Sequence, residues 1–172
     1  VNFTDPDAAD THIISVTIDD PALVVVNNHT GNISGSTFDL EPLADWNGTV
    51  QVTVTVTDNG VGALSASETF TFTVNAINDT PVSLDLSNVV FDERVPSGTV
   101  VGLFSTTDID IGDTHQYTLV SGQMDKDNDA FIIVGDTLKT NAEFDFEFQS
   151  TYWIRVQTED VGGETTYNIF CL

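Results

Sequence analysis

Pairs of aspartates at alternate positions are the residues of this sequence best suited to chemistry. The segment Thr4–His12 recurs 103 residues later as Thr107–His115. Each copy contains an Asp-x-Asp pair, namely Asp5 and Asp7 in the first and Asp108 and Asp110 in the second. Ca²⁺ prefers six to eight oxygen ligands, and carboxylates in a loop supply them. The pattern therefore predicts calcium binding before any catalytic reaction.

The repeat spacing also predicts how the chain is divided. A period near one hundred residues is the size of one β-sandwich module, so we expect two consecutive modules. The segment 78–82 combines polar residues with a proline and indicates a short linker of fixed direction. The predicted boundaries are a first module at 1–77, a calcium-binding linker at 78–82 and a second module at 83–172.

Alternating polar and apolar residues predict an all-β fold, with no amphipathic helix. The predicted strands are His12–Ile18, Leu23–Val26, Thr49–Thr57 and Thr69–Val74 in the first module, and Val89–Phe91, Thr99–Ser105, Gln116–Val120, Phe131–Val134, Thr137–Thr140, Tyr152–Thr158 and Thr165–Phe170 in the second. Seven short strands are typical of a sandwich. Since the first Asp-x-Asp loop begins at residue 5, we expect the first strand of the first module to be missing or to be supplied by residues outside this chain.

Composition excludes several classes of protein. The chain has 27 acidic and 4 basic residues and a net charge of −23, so it would repel phosphate, which argues against nucleic-acid binding and docking on anionic lipid. Divalent cations would relieve the self-repulsion, although an acidic surface that maintains solubility or salt tolerance is the alternative. The single cysteine, Cys171, excludes an intrachain disulfide, and no apolar run predicts membrane insertion.

Four motifs in the second module resemble those of a cadherin repeat, over residues 89–170. They are Val90–Gly102, which resembles the opening strand with its glutamate, Thr107–Asp110, Phe144–Glu147 and the acidic turn Thr158–Gly163. The first module is similar to the looser cadherin-like repeats of large bacterial surface proteins. That resemblance is carried by Asp45–Thr49, Val56–Gly60 and Val74–Val82.

The resemblance implies calcium sites at the ends of the modules. For the boundary between the modules it implies Asp45 from the first module, Asn78 and Asp79 from the linker, and Asp108, Asp110 and Asp160 from the second module. Asp5, Asp7 and Asp58 would form half of a preceding junction, and Glu93, Asp145 and Glu147 half of a following one. We expect these half sites to bind weakly or remain empty in this chain by itself.

The resemblance also implies an architecture and a role. The architecture is two tandem Greek-key β-sandwich modules, cadherin-like and Ig-like, from a secreted or cell-surface protein such as a bacterial adhesin. The role is that of a structural and adhesive extracellular module that Ca²⁺ stiffens at the junction. Expected partners are neighbouring repeats, a cell-surface protein or polysaccharide, and a weak homotypic contact. No nucleophile–base pair, phosphate loop or catalytic acid pair predicts an enzyme.

A carbohydrate-binding module of a secreted polysaccharide-binding protein is the alternative function. Solvent-exposed Trp46, Tyr152 or Trp153 on one sheet would favour it, because aromatic faces stack on sugars, whereas buried aromatics would favour the structural role. The histidines His12 and His115 recur at the same spacing as the aspartates. We interpret them as hydrogen-bonding residues at strand starts rather than zinc ligands.

Overall fold

The chain folds into two compact units, Val1–Ile77 and Asn78–Leu172, in the computed structural model. The structure describes residues 11–20, 23–25, 30–31 and 37–172. The predicted ligands Asp5 and Asp7 lie outside these residues. The segment 78–82, predicted as a linker, is grouped with the second unit.

The described part of the first unit contains six strands. They are β1 (His12–Ile18), β2 (Leu23–Val25), β3 (Thr30–Gly31), β4 (Leu40–Pro42), β5 (Gly48–Asp58) and β6 (Ser65–Val74). One sheet has the order β3-β1-β5-β6, and β2 pairs with β4 in a second sheet. All the pairings are antiparallel.

Strand β5 shows why the alternating sequence folds as a strand. Its valines at every second position, Val50, Val52, Val54 and Val56, are all buried. The intervening threonines point to the other face, where Thr53 Oγ1 lies 2.9 Å from Thr69 Oγ1 on β6. A strand with a period of two can bury one face and hydrate the other. The strand predicted at Thr49–Thr57 is thus present as β5.

The second unit contains seven strands and one short 3₁₀ helix. The strands are β7 (Ser83–Leu86), β8 (Val100–Thr107), β9 (Gln116–Leu119), β10 (Phe131–Val134), β11 (Thr137–Thr140), β12 (Trp153–Glu159) and β13 (Thr165–Cys171), and the helix is Asn128–Ala130. They form one sheet of order β10-β11-β8-β7 and another of order β13-β12-β9.

The core of the second unit is formed by residues from both sheets. Leu84, Val101, Phe104, Phe131, Leu138, Phe144, Ile154, Val156 and Phe170 are all buried in one cluster. Phe91 packs edge-on against Phe144, with ring centroids 4.6 Å apart. Two sheets joined by one apolar core are a β-sandwich, which confirms the predicted fold class.

The strand predicted at Val89–Phe91 is wrong, because the strand in this region is β7, at Ser83–Leu86. β7 pairs with β8 over four residues. The Asn88 side chain then donates to the carbonyl oxygens of Val90 (2.6 Å) and Val101 (2.8 Å). The Asn88 side-chain amide thus makes hydrogen bonds that the backbone of a paired strand would otherwise make here. Phe91 packs against the core but does not belong to a strand.

The described residues contain no helix whose length and apolar character would suit a membrane span.

Candidate metal centre

Three segments of the second unit converge at one end of its sandwich. The loop 108–115 connects β8 to β9, and residues 160–164 connect β12 to β13. Glu159 of β12 pairs with Gln116 of β9, which places the two loops side by side. Residues 78–82 reach the same end, because Ser83 of β7 pairs with Thr107 of β8.

Three carboxylates meet where these loops converge. Asp108, Asp113 and Asp160 each offer an oxygen atom, and the three oxygens lie within 4.8 Å of one another. Asp160 is buried, with a relative exposure of 6%, and the other two are half-buried. Acidic groups held this close favour a cation among them. We refer to these three residues as the aspartate triad.

Asp108 is held in place within its own loop. Its Oδ1 accepts the backbone N–H of Asp110 at 3.1 Å, and its Oδ2 accepts His115 Nε2 at 2.9 Å. The His115 hydrogen bond is the main reason that the pKa of Asp108 lies below its ordinary value. His115 thus hydrogen-bonds a carboxylate next to a strand start, as its recurrence suggested.

Asp160 is fixed by the turn that follows it. Its Oδ1 accepts the Glu164 N–H at 2.9 Å, and its Oδ2 accepts Asn78 Nδ2 at 3.0 Å. Burial works to raise the pKa of Asp160, but the hydrogen bonds from Asn78 and from backbone N–H groups of the turn outweigh it, and the pKa is lowered. Asp160 therefore remains a carboxylate anion at neutral pH.

Asp113 differs from the other two members of the triad. Its Oδ2 is buried and has no hydrogen-bond partner in the part of the chain that the structure describes. Burial raises the pKa of Asp113, and the neighbouring carboxylates of Asp110, Asp108 and Asp160 raise it further. A buried carboxylate oxygen without a partner is costly and needs a cation or a donor.

Sequence reasoning missed Asp113. The repeat nevertheless contained the signal, because Asp113 recurs as Asp10 with the same spacing of 103 residues as the Asp-x-Asp pairs. Asp113 lies outside the Asp-x-Asp motif, so the motif alone does not identify it. Whether its side chain turns inward depends on the loop conformation, in which Gly112 has a φ of 98°.

The other residues predicted as calcium ligands at this end of the second unit lie next to the aspartate triad. Asp110 Oδ2 accepts the backbone N–H of Asp79 at 2.7 Å. Asn78 reaches Asp160 through its side-chain amide, as described above. The structure thus places Asn78, Asp79, Asp108, Asp110 and Asp160 at the same end of the unit as Asp113, and their roles as calcium ligands stay predictions.

Gly162 leaves the space that Asn78 occupies, and this gives a first testable prediction. A Cβ at position 162 would collide with the side-chain amide of Asn78. We expect Gly162→Ala to displace Asn78 from Asp160 and to lower calcium affinity by about tenfold, as for loss of a supporting contact at a metal site. Calorimetric titration would measure the calcium affinity, and Val161→Ala, a substitution of the exposed neighbouring residue, is the control. An unchanged affinity would show that Asn78 has no role.

The second predicted cluster forms at the opposite end of the unit. Glu93, Asp145 and Glu147 offer oxygen atoms within 4.8 Å of one another. Glu93 Oε2 accepts the Phe146 N–H at 3.2 Å, and Asp145 Oδ1 accepts the Glu147 N–H at 3.1 Å. These residues are far more exposed than Asp160; the Glu93 side chain, for example, is 35% exposed. The three predicted residues therefore meet, but in a more open setting.

The described candidates of the first unit lie at separate positions in that unit. Asp45 is an exposed residue in the turn before β5, with a φ of 61°. Asp58 ends β5, and its Oδ1 accepts the N–H groups of Gly60 (3.1 Å) and Leu64 (3.2 Å). Their predicted roles as calcium ligands stay predictions.

The three aromatic residues considered for sugar binding, Trp46, Tyr152 and Trp153, are each half-buried. Tyr152 packs against Phe144 in the core, with ring centroids 4.9 Å apart. Trp46 packs against the buried Val50 and Val52, and Trp153 is half-buried on β12. By the criterion set from the sequence, this favours the structural role over carbohydrate binding.

The donor set of the aspartate triad suits a hard divalent cation. It consists of oxygens only, among them the buried, unpartnered Oδ2 of Asp113. Ca²⁺ takes such carboxylate and amide oxygens in flexible geometry, whereas zinc and copper favour nitrogen and sulfur ligands. The residues present therefore fit calcium.

These features define a class of protein: β-sandwich repeats of about one hundred residues with acidic loops at the ends of a sandwich. No protein-family model matches the chain. Human protocadherin-11 X-linked is 33% identical over 114 residues, which cover 64% of this chain and 8% of that protein. The chain thus spans 8% of the length of the curated relatives it matches.

Solved structures give the same result at the level of the fold. Extracellular cadherin domains 3–6 of protocadherin gamma B2 match with a TM-score of 0.64 and 17% identity, over 92% of this chain and 40% of that one. Domains EC1–3 of protocadherin gamma C5 match with a TM-score of 0.62 and 17% identity, over 92% and 55%. The chain therefore has the fold of cadherin domains.

Proposed function

We propose that this chain is a structural and adhesive extracellular segment whose cadherin-like repeats are stiffened by Ca²⁺. One observation carries the calcium assignment: the buried, unpartnered Oδ2 of Asp113 lies in a triad with Asp108 and Asp160. Without a cation, three carboxylates repel one another at short range. A bound Ca²⁺ replaces this repulsion with attraction and thereby ties the three loops together.

Stiffening follows from how the first residues of the second unit are held. Asn78 is bound through its side chain to Asp160, and Asp79 through its backbone to Asp110. Fixing Asp160 and Asp110 therefore also fixes the chain that enters the unit.

The experiment is a calcium titration by calorimetry, combined with thermal unfolding in chelator and in calcium. We expect dissociation constants of about 0.1–1 mM, the range of extracellular modules. At ten times the dissociation constant, each site should add about 1.4 kcal/mol to the free energy of unfolding. Protease cleavage within residues 75–80 should slow in calcium if the entering chain becomes fixed.

Asp108→Asn is the test variant and Asp136→Asn its control, since both remove one charge from the second unit. Asp136 is exposed and lies between β10 and β11, where its Oδ1 accepts the Thr137 hydroxyl at 3.0 Å. The calcium-induced rise in melting temperature should be lost only in the Asp108 variant. Absence of binding up to several millimolar would refute the calcium assignment and leave the acidic residues as a solubility surface.

The adhesive and extracellular parts of the proposal are supported by the nature of the relatives, which are described as extracellular cadherin domains. The relevant partners are neighbouring repeats and cell-surface molecules. A weak homotypic contact belongs to the same proposal, and analytical ultracentrifugation in calcium and in chelator tests it. The open cluster of Glu93, Asp145 and Glu147 is a second, weaker calcium site in this proposal.

A further inference from the structure

Three hydroxyl groups form a hydrogen-bonded row beneath the aspartate triad. Thr106 Oγ1 donates to the hydroxyl oxygen of Tyr117 at 3.3 Å and lies 2.9 Å from Thr158 Oγ1. Because a hydroxyl group has a single hydrogen, Thr106 must accept its second hydrogen bond from Thr158. Thr158 is 0% exposed, and the other two residues are half-buried. We refer to Thr106, Thr158 and Tyr117 as the hydroxyl row.

The hydroxyl row connects the two sheets of the second unit. Thr106 lies on β8, which belongs to one sheet, whereas Tyr117 and Thr158 lie on β9 and β12 of the other sheet. Thr158 is directly opposite Tyr117 in the pairing of β12 with β9. Both hydrogen bonds of the Thr106 side chain therefore run from one sheet to the other.

The triad lies one step beyond the hydroxyl row along the same strands. Asp108 comes two positions after the row residue of β8, and Asp160 comes two positions after that of β12. His115, which hydrogen-bonds Asp108, lies two positions before the row residue of β9. Side chains two positions apart on a strand point to the same face and lie about 7 Å apart. The row and the carboxylates are thus two successive layers between the same three strands.

The first unit shows that a sandwich does not need hydroxyl groups in this layer. Its strands β1 and β5 pair as β9 and β12 do, and Asp58 at the end of β5 accepts N–H groups of the following turn, as Asp160 does. Two positions before Asp58 is the buried Val56, which lies directly opposite Ile14. An apolar pair therefore fills the place that two members of the hydroxyl row fill in the second unit, so packing alone does not account for the hydroxyls.

We propose that the hydroxyl row positions Asp108 and Asp160 for Ca²⁺ by fixing the separation of β8 and β12 directly beneath them. These two carboxylates follow strands of different sheets, so the distance between them depends on how the sheets are held at this end. A hydrogen bond constrains that separation in direction as well as in distance. The row residues act through the carboxylates and are positioning residues, and the inference rests on the calcium assignment made above.

The test compares two variants of the full chain whose expected effects are opposite. Thr106→Val combined with Thr158→Val removes both hydroxyls of the pair and keeps the side-chain shape, so stability should change little. Thr158→Ser keeps the hydroxyl but removes a buried methyl group, so the melting temperature should fall. In a calorimetric calcium titration, the double valine variant should bind about tenfold more weakly, as for loss of a supporting group at a metal site. Thr158→Ser should bind as tightly as the wild type.

Hydrogen exchange in chelator provides a readout that does not require bound calcium. The backbone N–H of Asp110 donates to Asp108 Oδ1 at 3.1 Å, and that of Glu164 donates to Asp160 Oδ1 at 2.9 Å. Both amides should exchange faster in the double valine variant, because the carboxylates that accept from them are no longer held in place. Thr158→Ser should leave both exchange rates unchanged.

Thr140→Val is the matched control for loss of a buried hydroxyl group. Thr140 is also 0% exposed, and its Oγ1 donates to the Pro96 carbonyl oxygen at 2.9 Å. It hydrogen-bonds Thr99, just before β8 begins, whereas the hydroxyl row lies near the end of β8. This variant should lose stability but keep the calcium affinity of the triad.

The outcomes separate this inference from the calcium assignment. If the wild type binds calcium and the double valine variant matches it in affinity and amide exchange, the hydroxyl row has no positioning role and the calcium assignment stands. An equal loss of affinity in Thr158→Ser or Thr140→Val would also overturn the inference, because packing would be the cause. A wild type that binds no calcium would overturn both. Thr106→Ala with Thr158→Ala removes the same hydroxyls without adding methyl groups, so poor folding of the valine variant would not prevent a decision.

Discussion

Asp113→Asn should stabilise the chain in chelator and weaken its stabilisation by calcium, so that one substitution has opposite effects in the two conditions. In chelator, asparagine keeps the shape of the side chain but removes the negative charge of Asp113. The pKa of this carboxyl group is raised by burial and by neighbouring carboxylates, so its charged form is unfavourable in the fold. In calcium, the same change removes a ligand oxygen that has no other partner. Differential scanning calorimetry should show a higher melting temperature in chelator and a smaller calcium-induced rise.

The effect in chelator should also depend on pH in a defined direction. Because the folded-state pKa of Asp113 is raised, its ionisation lowers stability as the pH rises through that pKa. The advantage of the asparagine variant should therefore be greatest at neutral pH and shrink as the pH falls and Asp113 is protonated. A destabilised variant in chelator, or a calcium-induced rise equal to that of the wild type, would contradict this account.

Asp160→Ala should have the largest effect on calcium binding. Asp160 is the most buried carboxylate of the triad, and its two oxygens hold both the following turn and Asn78. Loss of a supporting group at a metal site already costs about 10–100-fold in affinity, so loss of a ligand should cost at least as much. Calorimetric titration should show no binding at the triad in the millimolar range.

Asp160→Asn distinguishes the effect of losing a carboxylate ligand from the effect of disrupting the turn at residues 160–164. Asparagine retains an oxygen that can accept the Glu164 N–H but carries no charge. We expect it to preserve the melting temperature in chelator while still weakening calcium binding strongly. If Asp160→Asn binds calcium as tightly as the wild type, the triad is not the site.

The sequence predicted the strands that have a strong alternating pattern. β5 was clear because valine and threonine alternate along its whole length. β7 was not, because Ser83–Leu86 is short and contains Asp85, and only pairing with β8 makes it a strand. Short strands depend on tertiary contacts more than on their own residues.

The site was predictable to the extent that motifs define it. Asp108 was predicted because it belongs to a recurring acidic loop, and Asp160 because its turn resembles that of a cadherin repeat. The inward turn of Asp113, and the use of Asp110 Oδ2 to accept the backbone N–H of Asp79, depend on loop geometry that spacing does not reveal. The 40% exposure of Phe70 on β6 is equally hidden in the sequence, because its alternation with threonine predicts a core position.

The chain has two tryptophans, one in each unit, and this gives each unit its own optical reporter. Trp46 packs on the core of the first unit, and Trp153 lies on β12 of the second, where its backbone N–H donates to Asp127 Oδ2 at 2.7 Å. With Trp46→Phe or Trp153→Phe, the fluorescence of one unit can be followed alone. Calcium bound at the aspartate triad should then shift the unfolding reported by Trp153.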